Sequence, residues 1–446
     1  MMKRTIMNLA SKCLIGILGI ATLAGTASCD KSESLLGQIS VTVTAPAEHA
    51  VDLSTVKVTI LNTADQSVTE LTADANGLVT FSDVVAGTYN VSASATIGET
   101  DFTAVSNGAV VLSKQTTEVK LTLEAAQSSK NLVIKEVFYS GENIFTYDPA
   151  FTMGTMNKDQ FIEIFNNSDE PVSLDGLYVG EAWTPSTYDM ESAPQYGMLE
   201  DPSLDHNYVY LNNVVRVPVN AGITLQPGKS FLLATNAINF NKEMRDAYAA
   251  LETPVDESLI SHIIDLSVAD METYAVAWMQ SQGKEGNEYF DLDNPDVPNA
   301  DNIYMTNDYF YLDPTGSAPV IFRSEKEISK DDIYTYKYVS PSHVEKNQEI
   351  QLIKIPTTAV IDGADFVNNS GAARWKRIPS LIDKGFGFIP NDDGGLTNFS
   401  QRRKIDEAKT KAAGRLVLMD TNNSSSDFES VDPPTPKGGY EGYVIK

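Results

Sequence analysis

Tyr334, Tyr336 and Tyr338 alternate with Thr335 and Lys337, so on an extended strand their three rings project from one face. A row of tyrosines can stack on the apolar faces of sugar rings while its hydroxyls stay wet, which makes this the candidate ligand face. Tyr304 and Tyr309-Phe310-Tyr311 lie shortly upstream. The competing expectation is a cross-strand aromatic ladder that packs the region internally. Asp291, Asp293 and Asp296, in Asp291-Leu292-Asp293-Asn294-Pro295-Asp296, place several oxygen ligands in one proline-containing loop, as a hard cation such as calcium requires. The stretch lacks the central glycine and distal glutamate of an EF-hand loop, so a calcium site competes here with a plain acidic surface loop.

The search for catalytic signatures is negative. There is no Gly-x-Ser-x-Gly elbow and no His-Glu-x-x-His helix. Gly228-Lys229-Ser230 ends like a phosphate-binding loop, but Ile223 stands where its first glycine belongs. The histidines His49, His206, His262 and His343 are scattered, without metal-ligand spacing. A glycosidase-type carboxylate pair has no fixed sequence spacing, and 60 acidic residues offer many pairs. The expectation is a non-enzymatic binding or scaffold protein. The alternative is a hydrolase of extracellular polymers that uses a carboxylate pair or a metal.

The 446 residues carry a formal net charge of −27. Such a field repels phosphate backbones, which argues against nucleic acid as a partner and favours a soluble monomer. The basic cluster Arg402-Arg403-Lys404, followed by Lys409, Lys411 and Arg415, reads as the solvated face of a short helix. Cys13 and Cys29 are the only cysteines.

Lys3, Arg4 and Lys12 precede an apolar run, Leu14-Ile15-Gly16-Ile17-Leu18-Gly19-Ile20, that continues to Leu23. This run is shorter than the roughly 20 residues that span a bilayer. Ala24-Gly25-Thr26-Ala27-Ser28 and then Cys29 follow. The order resembles the lipobox of bacterial lipoproteins, with Thr26 where that motif usually has a larger aliphatic residue. The resemblance implies a signal peptide over residues 1–28, acylation of Cys29 and a lipidated tether over 29–36. It also implies a lipid-anchored place in the outer membrane of a Gram-negative bacterium, facing the cell surface. Cleavage there leaves Cys29 as the single cysteine, so no disulfide can form within the mature chain.

The elements that must position these residues read as mainly β. From residue 37 to 124, Ile39/Val41/Val43, Val56/Val58/Ile60 and Val119/Leu121/Leu123 alternate with polar residues, the pattern of a small sandwich. Asp74-Ala75-Asn76-Gly77-Leu78-Val79-Thr80-Phe81 followed by Val85-Ala86-Gly87-Thr88-Tyr89 resembles carboxypeptidase-regulatory-like, prealbumin-like domains. A polar stretch at 125–131 marks a boundary.

The second block, 131–446, contains Phe161-Ile162-Glu163-Ile164-Phe165-Asn166-Asn167, Leu174-Asp175-Gly176-Leu177-Tyr178-Val179 and Leu225-Gln226-Pro227-Gly228. Together with Asp420-Thr421-Asn422-Asn423 and Pro433-Pro434-Thr435-Pro436 near the end, this succession resembles the lamin-tail domain, an immunoglobulin-like β-sandwich. The expected fold is thus two sandwiches, the second with insertions over about 183–207 and 237–350 that contain short helices. Met244, Tyr248 and Leu251 carry helical spacing after a cap at Asn239 or Asn241. An outer-membrane protein or a glycan is the partner expected for such an insertion.

Overall fold

The computed structural model describes residues 36–46, 51–62, 67–97, 100–125, 131–140, 142–144, 154–156, 158–183, 198–199, 204–252, 254–255, 257–339, 345–368, 374–389 and 398–445. The first module is built from β1 (Leu36–Thr44), β2 (Lys57–Asn62), β3 (Val68–Thr72), β4 (Leu78–Val85), β5 (Gly87–Ile97), β6 (Thr100–Val111) and β7 (Thr116–Thr122). A three-stranded sheet, ordered β4-β1-β7, faces a five-stranded sheet, β3-β2-β5-β6 plus the short pair Glu124–Ala125. The alternating residues of β1, Ile39, Val41 and Val43, are fully buried and meet Val58, Val91 and Leu121 in one core. Gly77 takes φ +77°, and a Cβ there would lie 2.1 Å from the Val43 carbonyl oxygen, so glycine is required by both conformation and space. The Asp74 carboxylate accepts from the Asn76 and Leu78 amides, at 2.8 Å each, and ties this turn.

The second module follows in chain order as β8 (Leu132–Phe138), β9 (Phe161–Asn166), β10 (Tyr178–Ala182), β11 (Tyr208–Arg216), β12 (Ser230–Ala234) and β13 (Met271–Glu272). Next come β14 (Asp301–Met305), β15 (Pro319–Phe322), β16 (Ile333–Val339), β17 (Glu345–Pro356), β18 (Val360–Gly363), β19 (Ser400–Arg403) and β20 (Phe428–Val431). One six-stranded sheet runs β13-β12-β9-β8-β19-β20, and a seven-stranded sheet runs β16-β17-β11-β10-β15-β18, with β14 paired to β11. Ile134, Ile162, Ile164 and Phe231 of the first sheet pack on Val179, Val215 and Ile321 of the second, the sandwich the alternation requires.

β8 and β9 are buried along their whole length, because the outer face of their sheet is covered as well. Phe138, Phe161 and Leu232 on that face lie under helix α1 (Phe240–Ala250) and Ile260, Ile263 and Ile264. Of the two possible caps for α1, Asn239 is used: its side chain accepts from the Lys242 amide at 2.8 Å. Pro227-Gly228 forms the expected turn, with Gly228 at φ +71° and the Lys229 amide donating to the Gln226 carbonyl at 3.1 Å.

Two expectations change. The stretch 237–350 is more than an insertion, since β15 sits between β10 and β18 and its Val320, Ile321 and Phe322 are fully buried. Four consecutive buried residues without alternation are what a strand covered on both faces needs. Second, Arg402 and Arg403 lie on strand β19 rather than on a solvated helix, and Arg403 is only 2% exposed. The short helix begins further on, at Glu407–Ala413, and ends at Gly414 with φ +65°.

Candidate functional site

The edge strand β16 pairs antiparallel with β17, which sets Tyr334 opposite Leu352 and Tyr336 opposite Ile350. Tyr336 is 7% exposed, and the Trp183 ring meets it edge-on at 5.8 Å. Tyr334 stands 4.9 Å from the buried Tyr210 on β11, tilted by 57°. The Lys354 ammonium lies 3.8 Å over the Tyr208 ring and 5.5 Å from that of Tyr334, a cation–π contact that fills the space between rings. These side chains form a packed cross-strand ladder rather than an open row, because Tyr210, Leu352 and Trp183 share their face. The side chain of Tyr338 lies outside the described residues, as do Cys29, His49 and His343.

Asp291, Asp293 and Asp296 are not gathered around a common point. Asp291 is buried and accepts from the Ala275 amide at 2.8 Å, at the start of helix α2 (Val276–Ser281). Asp293 accepts from the Asn299 side-chain amide at 3.1 Å, while the Asp296 amide donates to the Asn294 side chain at 3.1 Å. The nearby Glu272 accepts from the amides of Ala237 and Asn294, each at 2.7 Å. Burial pushes both Asp291 and Glu272 up to about 7. Among the described residues no group of three or more His, Cys, Asp or Glu side chains is arranged to hold a metal ion. Of the three carboxylates, that of Asp291 is held by a backbone amide and that of Asp293 by a side-chain amide.

That same loop carries an aromatic shelf. The Asn287 carbonyl accepts from the amides of Phe290 and Asp291, forming a turn that presents Tyr289 and Phe290. After β14 the chain alternates: Phe310 and Leu312 enter the main core, and Tyr309 and Tyr311 are left half-buried at the surface. Gln160 clamps Leu312 from both sides, donating to its carbonyl at 2.6 Å and accepting from its amide at 3.1 Å. Phe290 stacks on Tyr309 at 5.6 Å and 12°, Tyr311 meets Tyr309 edge-on, and Tyr289 stands edge-on to Phe290 at 4.8 Å. The Tyr289 ring is 68% exposed, with the Lys158 ammonium 3.8 Å over it. Asn287 donates to Asp308 at 2.9 Å beside it.

Polar groups elsewhere in the module are used internally. The Arg403 guanidinium donates to Asp362 at 2.6 Å and to the carbonyls of Ile134 and Met419, with Asp427 at 3.4 Å. It also lies 4.6 Å from the centre of the Phe428 ring. Lys135 and Glu163 pair at 2.9 Å in the outer face of the first sheet, under a C-terminal segment whose Thr435 bonds Glu136. Ser230 and Lys437 also bond Glu163. His262 pairs with Asp432 at 3.0 Å.

The two modules meet where Leu61 packs on Phe386 and Phe388, and where Lys384 donates to the Thr103 carbonyl at 3.1 Å. A cleft of about 970 Å³ opens between them, lined by Phe102, Asp406, Lys409 and Tyr443 among others.

No curated protein matches this chain at a significant level. A crystal structure of a DUF4876 family protein from Bacteroides thetaiotaomicron shares the fold, with a TM-score of 0.50 at 21% identity over 89% of this chain and 96% of that one. A Pseudomonas aeruginosa protein described as a candidate carbohydrate binding protein aligns over 20% of this chain and 90% of its own, at 20% identity. Its TM-score of 0.15 is too low to carry an argument. Residues 226–435, which include β12 to β20, match the model of a family described as a protein of unknown function, DUF4876.

Proposed function

We propose that this chain is a lipid-anchored lipoprotein of the Gram-negative cell envelope that binds a ligand without catalysis. The basic, apolar and small-residue order that ends at Cys29 supports the anchor, and the net charge of −27 disfavours a polyanionic partner. Among the described residues no helix is long and apolar enough to cross a membrane. Similarity to the DUF4876 model and to the Bacteroides fold supports a shared scaffold and is silent on the ligand.

The observation that carries the binding reading is how the inserted region spends its side chains. Glu272 and Asp291 are turned onto backbone amides, whereas Tyr289 is held out to solvent on a layered aromatic base. The test is a pull-down of envelope polysaccharide by the immobilised full chain against an unrelated protein of equal net charge: retention by the first and not by the second supports binding, and equal retention sinks it.

The alternative is a hydrolase acting on extracellular polymers. One observation favours it: Glu272 and Asp291 are both held up at about 7, the range of a carboxyl able to act as general acid. Hydrolysis of a polymer by the wild type that is lost in Glu272→Gln would establish that reading in place of the first.

A further inference from the structure

We propose that Tyr289, with Lys158 and the Asn287–Asp308 pair beside it, forms a binding site for a neutral glycan chain. This rests on the binding reading above and names its ligand class. Exposing an aromatic ring over 68% of its surface forgoes burial that a core position would give. The chain nevertheless fixes this ring in place. Phe290 supports it edge-on, Tyr309 stacks beneath Phe290, and Tyr311 braces Tyr309. The backbone under these rings is clamped by Gln160 and by the Asn287 turn. A ring held this way loses little freedom when a ligand covers it, which is the economy of a preorganised site.

The surrounding groups select the ligand. An aromatic face stacks on the apolar C–H face of a pyranose, whose hydroxyls then point sideways. Lys158, 3.8 Å over the Tyr289 ring, can donate to such hydroxyls, and Asp308 and the Asn287 side-chain amide, 2.9 Å apart, offer an acceptor and a donor in the neighbouring loops. Asp308, bonded to Asn287, and Glu288, next to Tyr289 in the chain, are both exposed, and together they outnumber Lys158. Uronic acids, sulfated sugars and phosphates are therefore repelled, and neutral hexoses or pentoses are admitted.

The test is a calorimetric titration of the full chain in detergent with cello-, xylo-, manno- and malto-oligosaccharides, with an oligogalacturonate as the anionic comparator. The expected result is saturable binding of at least one neutral series and no saturable binding of the oligogalacturonate. Tyr289→Ala should weaken the neutral ligand by about tenfold with the thermal unfolding curve unchanged, and Tyr289→Phe should retain it. Unchanged affinity in Tyr289→Ala would overturn the site while leaving a binding protein. No saturable binding of any neutral series, or a preference for the oligogalacturonate, would overturn the ligand class. Acylation of Cys29 is read by a separate measurement and is unaffected by either result.

Discussion

Arg403 and Asp362 meet at 2.6 Å, each side chain only 2% exposed, and join strand β19 of one sheet to strand β18 of the other. The same guanidinium reaches the Ile134 carbonyl on the opening strand and the Met419 carbonyl near the end. A buried ion with this many partners is costly to break, because whatever remains is an uncompensated charge.

Arg403→Ala should therefore destabilise the second module by about 3–5 kcal/mol. Arg403→Lys should recover only part of that loss, because an ammonium cannot span Asp362 and two carbonyls with a planar fork. Urea unfolding monitored by tryptophan fluorescence checks both, and a loss in Arg403→Ala no larger than that of a surface substitution would refute the keystone role.

Stability should fall as pH rises. Burial pushes Glu181 up to about 8, against the pull of its bonds from the Ala318 amide and Ser317 and of the nearby Arg377. A carboxyl raised in the folded state stabilises fully below its ordinary range, and that stabilisation is lost as pH rises through the folded value. Glu272 and Asp291, at about 7, and Asp427, at about 6, act in the same sense. The melting temperature should thus decline between about pH 5 and pH 9, and Glu181→Gln, which cannot ionise, should flatten the upper part of that decline. Parallel curves for the two proteins would contradict it.

Tyr336 and Tyr289 should respond oppositely to truncation. Tyr336 is 7% exposed and packed against Trp183, so Tyr336→Ala should cost about 3 kcal/mol. Tyr289→Ala removes an exposed ring and should stay within about 0.5 kcal/mol of the wild type. Thermal unfolding of the two variants side by side reads the contrast.

The contrast also shows what the sequence could and could not disclose. Period-two alternation located β1, β2 and β7, and a helix cap at Asn239 or Asn241 and the Pro227-Gly228 turn were legible because their physics is local. Tyr334 and Tyr336 were visible as a face, but their burial depends on Tyr210, Leu352 and Trp183, which come from other strands. Arg403 read as part of a solvated basic run because its partner Asp362 is 41 residues away. The shelf was illegible for the same reason: Lys158, Tyr289 and Tyr309 come from three separated segments, and only Tyr309-Phe310-Tyr311 stood out in the sequence. In the acidic loop the Asp291 carboxylate faces the Ala275 amide, a partner that no spacing rule reveals.

The central claim is a binding protein held to the envelope by an acyl chain on Cys29, and metabolic labelling with an alkyne-bearing fatty acid tests it most directly. The account predicts a labelled wild-type protein in the membrane fraction and an unlabelled Cys29→Ser protein released from it. An unlabelled wild type, or equal labelling of the Cys29→Ser variant, would contradict it.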